Sequence, residues 1–312
     1  MRRSPSRTTG VILSALLAAV ALAVPARCAL AEPGPTPAGE ARPLRVGTTL
    51  HPYDSWTRNV VRGTDVEVVP VLPGEVDAGD YQPRPEDIAK IARLDAIVVN
   101  GLGHDDFVDG MIAASGNERL RVIRVNEGTP LLPGAHGEKS NSHTFLSFSN
   151  AIAQSRTIAE ALGEMRPSEA ARFRENAAEY ARRLRAIKGT AQGRLAEARV
   201  RRVVTVHDGY AYLMQELGVE VAGVVQPAHG LQPSAKELAE MVDLLRREKV
   251  PVVFAEESFP DAMLVVLRDE GGARVYVIGH VASGDYSADK FEREMKANAD
   301  VIAKALVDDP PR

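Results

Sequence analysis

The chain has 312 residues, of which 45% are hydrophobic and 26% charged, as in a globular protein of about two domains. Its net charge of −4 argues against nucleic acid as a partner. After the N-terminal segment, no apolar run approaches the length of a transmembrane helix.

The first 31 residues have the pattern of an export signal: the basic start "MRRSPSR", an apolar run and the small residues "ALA". Cleavage after Ala31 would remove four arginines and no acidic residue, which takes the net charge from −4 to −8. It would also remove Cys28, the single cysteine, and so exclude a disulfide. Arg27 before Cys28 fits a lipoprotein signal poorly, so we predict export to the periplasm without a lipid anchor. Residues 32–43, rich in Pro and Gly, are predicted to form a disordered spacer.

The first half of the chain alternates between strand and helix patterns. Strands are predicted at 44–49, 66–70, 96–99 and 121–125, and helices at 53–61, 85–92 and 106–115. Strand, helix and strand at this spacing indicate a parallel, doubly wound sheet. The Gly- and Pro-rich segment 126–142 is predicted to be a loop.

A helix at 151–162 and a long charged helical segment at 166–200 follow. We interpret the charged segment as a solvated surface helix that connects two halves, and we expect Gly189 and Gly193 to weaken its second part. The second half then repeats the alternation. Strands are predicted at 202–206, 219–225, 252–255 and 274–278, and helices at 209–217, 234–248, 261–269 and 287–306.

The predicted fold is α/β, with two Rossmann-like lobes, each a parallel sheet flanked by helices, joined by a long rigid connecting helix. The N-terminal lobe would span 44–165, the connecting helix 166–200 and the C-terminal lobe 201–312. Such lobes form a cleft at the carboxyl ends of their strands, where α/β folds bind ligands.

Five of the seven histidines follow a predicted strand or precede a helix at this cleft: His51, His104, His143, His207 and His280. Neutral imidazoles without thiolates suit Zn²⁺, whereas Mn²⁺ prefers more carboxylate oxygen. The sequence therefore predicts a zinc site between the lobes. His136 and His229 lie in loops, and we predict that they are ordinary surface residues.

Four segments resemble the solute-binding proteins of zinc/manganese ABC transporters. They are "DYQPRPEDIAKIARLDAIVVNGLG", "HTFLSFSNAIAQSRTIAEAL", "VVTVHDGYAYLMQELGVEVAGV" and "PSAKELAEMVDLLRREKVPVVFAEESF". The resemblance extends over nearly all of the chain after the leader. It implies two lobes linked by a rigid helix, a metal ion bound between them and an ABC permease in the cytoplasmic membrane as the partner.

The resemblance implies two ligands directly, namely His143 in "SNSHTF" and His207 in "VHDGY". The family's first ligand, in a Pro-His-Asp-Tyr-Glu-Pro stretch, falls on Gly79 in "AGDYQP". Its fourth ligand, an Asp in a Leu-Asp-Pro-Leu stretch, is absent from the matching run "IGHV". His280 lies beside that fourth position and is the expected replacement.

For the position vacated at Gly79 we prefer His104 over His51, while Glu256 and Glu257 are further candidates. The predicted metal ligands are therefore His104, His143, His207 and His280. We expect Asp105 or Asp106 to orient His104 or cap the helix after it. We expect Asp208 to cap the helix after His207.

Together these features predict a monomeric periplasmic protein, not an enzyme, that captures Zn²⁺ and delivers it to the permease. Two alternatives remain open. "HDD" at His104 and "HDG" at His207 superficially suggest a metal-dependent hydrolase, although no hydrolase motif accompanies them. The two altered ligand positions also suit a metal-free relative that binds another ligand or a surface partner.

Overall fold

The computed structural model describes residues 42–76, 78, 81–134, 139–226 and 231–309. The predicted export signal, nearly all of the predicted spacer, Gly79, His136 and His229 lie outside these ranges. Within them, no helix combines the length and the apolar character that crossing a membrane requires.

The N-terminal half contains four strands and three helices that alternate along the chain. The strands are β1 (Arg45–Thr48), β2 (Glu67–Pro70), β3 (Ala96–Val99) and β4 (Arg121–Arg124), and the helices are α1 (His51–Val60), α2 (Pro85–Ile91) and α3 (Phe107–Ser115). The strands are parallel and lie in the order β2-β1-β3-β4. Every residue of β3 is apolar and buried, as expected for a parallel strand that is covered on both faces.

Two long helices join the halves: α4 (Phe148–Met165) and α5 (Ala170–Leu195). Helix α5 continues through Gly189 and Gly193 without interruption, so the two glycines expected to weaken its second part do not break it. It is also not simply a solvated helix, since one side is buried and packs against α1 and α4. This packing outweighs the cost of two glycines, which is about 1 kcal/mol each.

The C-terminal half repeats the same design. Its strands are β5 (Arg202–Thr205), β6 (Glu220–Val224), β7 (Val252–Ala255) and β8 (Arg274–Val277), and its helices are α6 (Ala211–Glu216), α7 (Ala235–Arg247), α8 (Asp261–Asp269) and α9 (Lys290–Ala303). A short 3₁₀ turn, Asp208–Tyr210, precedes α6. The strands are again parallel, in the order β6-β5-β7-β8. The prediction of two parallel α/β lobes is therefore confirmed.

The two halves touch through a segment of the C-terminal half. Ala288 accepts hydrogen bonds at its carbonyl oxygen from Ser55 Oγ and Asn59 Nδ2, each at 2.7 Å. Helix α9 packs on α1 and α5, and Arg183 of α5 donates to Glu292 at 2.8 Å. Helix α9 therefore links the C-terminal half to α1 and α5.

Glu216 forms a second junction, between three helices. Its carboxylate, at the end of α6, accepts hydrogen bonds from the backbone N–H groups of Phe148 and Ser149, each at 2.8 Å. Lys188 of α5 donates to the same carboxylate at 2.8 Å, and only 7% of the Glu216 side chain is exposed. A buried carboxylate at the N-terminus of α4 complements the exposed N–H groups and the positive end of the helix dipole.

We expect Glu216→Gln to lower the unfolding temperature by roughly 3 to 10 °C, because the amide loses charge-assisted bonds worth about 1.5 to 3 kcal/mol. Thermal unfolding followed by circular dichroism tests this. Glu160→Gln is the control, since Glu160 is exposed on α4 and pairs with exposed Arg156. Equal melting temperatures for the two variants would contradict the role given to Glu216.

Candidate metal site

Three imidazoles converge in the described part of the chain: those of His143, His207 and His280. Their potential ligand atoms all lie within 4.8 Å of one another. The ring centroids are 4.6 Å apart for His143 and His207, 4.9 Å for His207 and His280, and 5.2 Å for His143 and His280. Two nitrogens on one zinc ion are at most about 4 Å apart, since each bond is about 2 Å long. The three rings are thus close to the spacing of a shared coordination site.

The fourth predicted ligand, His104, lies next to this cluster. Its ring is buried, with its centroid 4.8 Å from that of His143 and 6.3 Å from that of His280. The loop between β3 and α3 carries it. The structure therefore places His104 beside the three converging rings and in contact with one of them.

His51, the other histidine considered for the position of Gly79, has a different setting. It is the first residue of α1, and its ring stacks on Tyr286 with centroids 4.1 Å apart and planes 3° apart. His51 Nε2 lies 3.1 Å from the carbonyl oxygen of Gly284. His51 thus contributes to the contact between the two halves.

Glu256 and Glu257 also lie apart from the three converging rings. Together with His280 they line a cavity of about 500 Å³ that lies beside the cluster. Ser258 donates to the Glu256 carboxylate at 3.4 Å. The cavity is therefore an acidic space next to one ring of the cluster.

Asn141 fixes the orientation of the His143 ring. Its Oδ1 accepts a hydrogen bond from the backbone N–H of His143 at 2.9 Å, which identifies this atom as the amide oxygen. The same oxygen lies 3.0 Å from His143 Nδ1. Because an amide oxygen only accepts, Nδ1 carries the proton and Nε2 presents its lone pair. Sequence reasoning missed Asn141, although an Asn two residues before a loop histidine is a known signal for such a turn.

The segment after β5 shows that the expected cap was wrong. His207 itself is the N-cap of the 3₁₀ turn, and its Nδ1 accepts a hydrogen bond from the Gly209 N–H at 2.7 Å. Asp208 instead places its Oδ1 3.5 Å from His207 Nδ1 and 3.8 Å from His143 Nδ1. Asn141 Nδ2 donates to the Asp208 carbonyl oxygen at 2.9 Å. A carboxylate therefore lies beside two of the rings.

The turn that carries His280 is held on both sides. Tyr210 donates to the Ile278 carbonyl oxygen at 3.0 Å, and the Asn298 side chain bonds both the N–H and the C=O of Gly279, at 2.7 and 2.8 Å. Val281, the next residue after His280, has φ 59°, which is strained for a β-branched side chain. Such strain costs about 1 to 3 kcal/mol and persists only where the surroundings impose it. The backbone at His280 is therefore held by its neighbours rather than by local preference.

An apolar side chain covers one side of the three converging rings. Phe145 is fully buried, and its ring centroid lies 5.0 Å from that of His104 and 5.7 Å from those of His143 and His280. An apolar neighbour excludes water and strengthens the interaction of a cation with the imidazoles.

Asp105 anchors the loop that carries His104. Its carboxylate accepts hydrogen bonds from Thr49 Oγ1 at 2.6 Å, Asn100 N at 2.7 Å and Gly101 N at 3.0 Å. Burial raises the pKa of this carboxyl, and the three donors oppose that effect. Asp106 precedes α3 without making a side-chain cap. Asp105 therefore ties the loop before His104 to the end of β1.

A model of one protein family matches this chain over residues 46–305. Its description is ZnuA, zinc-uptake complex component A, periplasmic. The chain belongs to the ZnuA family. The family comprises metal-binding periplasmic components of ABC transporters, which are transport proteins rather than enzymes.

Relatives of this ZnuA-family chain carry different metals in their names. The chain is 44% identical to the SBP FpvC of Pseudomonas aeruginosa in complex with Mn²⁺, with a TM-score of 0.79 over 85% of this chain and 98% of that one. FpvC in complex with Ni²⁺ aligns with a TM-score of 0.80 over 86% of this chain and 99% of that one, at 43% identity. The iron-binding protein YfeA of Yersinia pestis is 28% identical over 251 residues, 79% of each chain.

Zinc appears in the name of another relative of this ZnuA-family chain. The zinc-binding lipoprotein AdcA of Streptococcus pneumoniae is 26% identical over 254 residues, which is 77% of this chain. The match spans 50% of AdcA, so the chain covers about half the length of that relative. The relatives thus agree on metal binding and differ in the metal.

We expect Asp105→Asn to destabilise the protein by about 1 to 3 kcal/mol, because an amide can accept with only one of its two polar atoms. The expected drop in unfolding temperature is several degrees, measured by calorimetry. Asp106→Asn is the control, since Asp106 is exposed and makes no cap. If both variants unfold at the same temperature as the wild-type protein, Asp105 does not stabilise the loop as described.

Proposed function

We propose that this protein captures Zn²⁺ in the periplasm and delivers it as cargo to an ABC permease in the cytoplasmic membrane. The convergence of the His143, His207 and His280 ligand atoms within 4.8 Å of one another carries the proposal. His104, beside His143, would be the fourth ligand. Four neutral imidazoles around a divalent cation are a donor set that tetrahedral Zn²⁺ accepts.

The donor atoms favour zinc over manganese. The converging group contains ring nitrogens and no carboxylate oxygen. Imidazole suits zinc, iron and nickel, whereas Mn²⁺ prefers carboxylate, carbonyl and water oxygens. At equal concentrations the Irving–Williams order also places Zn²⁺ above Mn²⁺ and Fe²⁺ for a nitrogen site.

Capture and release would depend on the two halves of the molecule. His104 and His143 come from the N-terminal half, and His207 and His280 from the C-terminal half. An ion shared by both pairs binds tightly only while the halves are together, so separating one pair would release it. The proposal takes 44–165 and 201–312 as the two lobes, 166–200 as the connector, and a monomer as the working unit.

The first test is a titration of metal-stripped protein, secreted and processed by its host, with Zn²⁺ in a calorimeter. We expect one-to-one binding, and a loss of affinity of roughly 100-fold or more for His143→Ala, His207→Ala and His280→Ala, because each removes a ligand. His104→Ala should weaken binding about tenfold or more. His51→Ala should weaken binding by less than about tenfold, since its ring stacks on Tyr286 and not on the three converging rings. Glu160→Gln is the control and should bind like wild type, since Glu160 is exposed on α4.

Other outcomes would identify the alternatives. Preferential binding of Mn²⁺ or Fe²⁺ in competition with Zn²⁺ would contradict the choice of metal. Turnover of an ester or phosphoester by the zinc-loaded protein would favour a hydrolase. If the protein binds no divalent ion, the remaining candidate is a metal-free relative that binds another ligand or a surface partner.

A second test concerns Asn141, which orients His143. We expect Asn141→Ala to weaken Zn²⁺ binding about 10- to 100-fold, because the proton on His143 Nδ1 loses its acceptor. Asn141→Asp keeps an oxygen at this place and should recover most of the affinity. If both variants bind equally, the hydrogen bond does not orient the ring.

A further inference from the structure

We propose that Gly209 is the positioning residue that lets the His280 ring join the other two imidazoles. The inference rests on the metal site proposed above. A methyl group built on Gly209 would lie 2.8 Å from His207 Nδ1, 2.9 Å from His280 Nε2 and 3.0 Å from His143 Cδ2. All three converging rings therefore lie against the space that a side chain at residue 209 would fill.

The backbone does not explain the glycine. Gly209 lies inside the 3₁₀ turn Asp208–Tyr210 and is not among the glycines with positive φ. An alanine could therefore adopt the same conformation without strain. It would also keep the N–H that donates to His207 Nδ1. An alanine at this position would therefore change only one thing, because its methyl group would fill space that the rings occupy.

Of the three rings, that of His280 is the one that a methyl group would displace. The His143 ring is held by Asn141, and the His207 ring is held by the Gly209 amide itself. The His280 ring is half-buried and also lines the cavity of about 500 Å³ beside Glu256 and Glu257. Rotation toward this cavity moves Nε2 away from the other two rings. A side chain at 209 would therefore break the cluster at His280 while the fold persists.

The test compares Gly209→Ala with Gly189→Ala in the full-length exported protein. Gly189 lies in α5, and a methyl group there would meet nothing within 4 Å, so it controls for the exchange itself. We expect Gly209→Ala to weaken Zn²⁺ binding about 10- to 100-fold, as displacement of a ligand by its surroundings does. Gly189→Ala should bind like wild type. The proposal is overturned if wild type binds Zn²⁺ and both variants match it.

A double-mutant cycle separates His280 from the other rings. In a His280→Ala background, Gly209→Ala should weaken Zn²⁺ binding by less than about threefold, since the ring that the methyl group would displace is gone. An equal loss in both backgrounds would show that Gly209 acts through His143 or His207, and would overturn the proposal.

A metal-free measurement keeps this inference separate from the proposed function. In the apo protein, Gly209→Ala should shift the ring resonances of His280 in a ¹H–¹⁵N spectrum and leave those of His51 in place, whereas Gly189→Ala should shift neither. Unchanged His280 resonances would overturn the role of Gly209. Failure of wild type to bind any divalent ion would instead overturn the metal site, and the spectra would still report on the packing.

Discussion

The structure depends on bringing imidazoles from two halves of the chain to one buried point. Neutral rings make this possible, because a neutral group costs far less to bury than a charged carboxylate. His143 and His207 are almost fully buried, and Phe145 covers the cluster from one side. Asp208, whose side chain is 16% exposed, places its Oδ1 3.5 Å from His207 Nδ1. Histidine side chains can therefore be brought together at a buried point at a lower cost than carboxylates.

Each of the three converging rings has a neighbour that helps to position it. Asn141 turns His143, the Gly209 amide holds His207, and Asn298 clamps the backbone before His280. These contacts are satisfied hydrogen bonds between short side chains and the backbone, so they lose little conformational entropy. The strain at Val281 is held in place by the same surroundings. Precision in the cluster thus comes from the loops around it.

The two halves are joined by polar contacts as well as by packing. Ser55 and Asn59 bond the Ala288 carbonyl, and Glu216 links three helices. Hydrogen-bonded interfaces of this kind can separate and re-form more readily than an apolar core, because water can replace each bond. The opening and closing proposed for capture and release of the ion would be consistent with such contacts.

Sequence patterns determined the alternation of strands and helices, the two parallel sheets and the placement of four histidines at strand ends. They did so because period-2 and period-3.6 apolar patterns are local properties. The sequence predicted His104 rather than His51 near the other histidines, but it did not show that Asp105 ties a loop to the end of β1 or that His207 caps the 3₁₀ turn. It also did not show that one side of α5 is buried. Those outcomes depend on which segments meet in space, and contacts between distant residues leave no local pattern. Only the tertiary structure revealed why residue 209 lacks a side chain, since three rings from separate segments occupy that space.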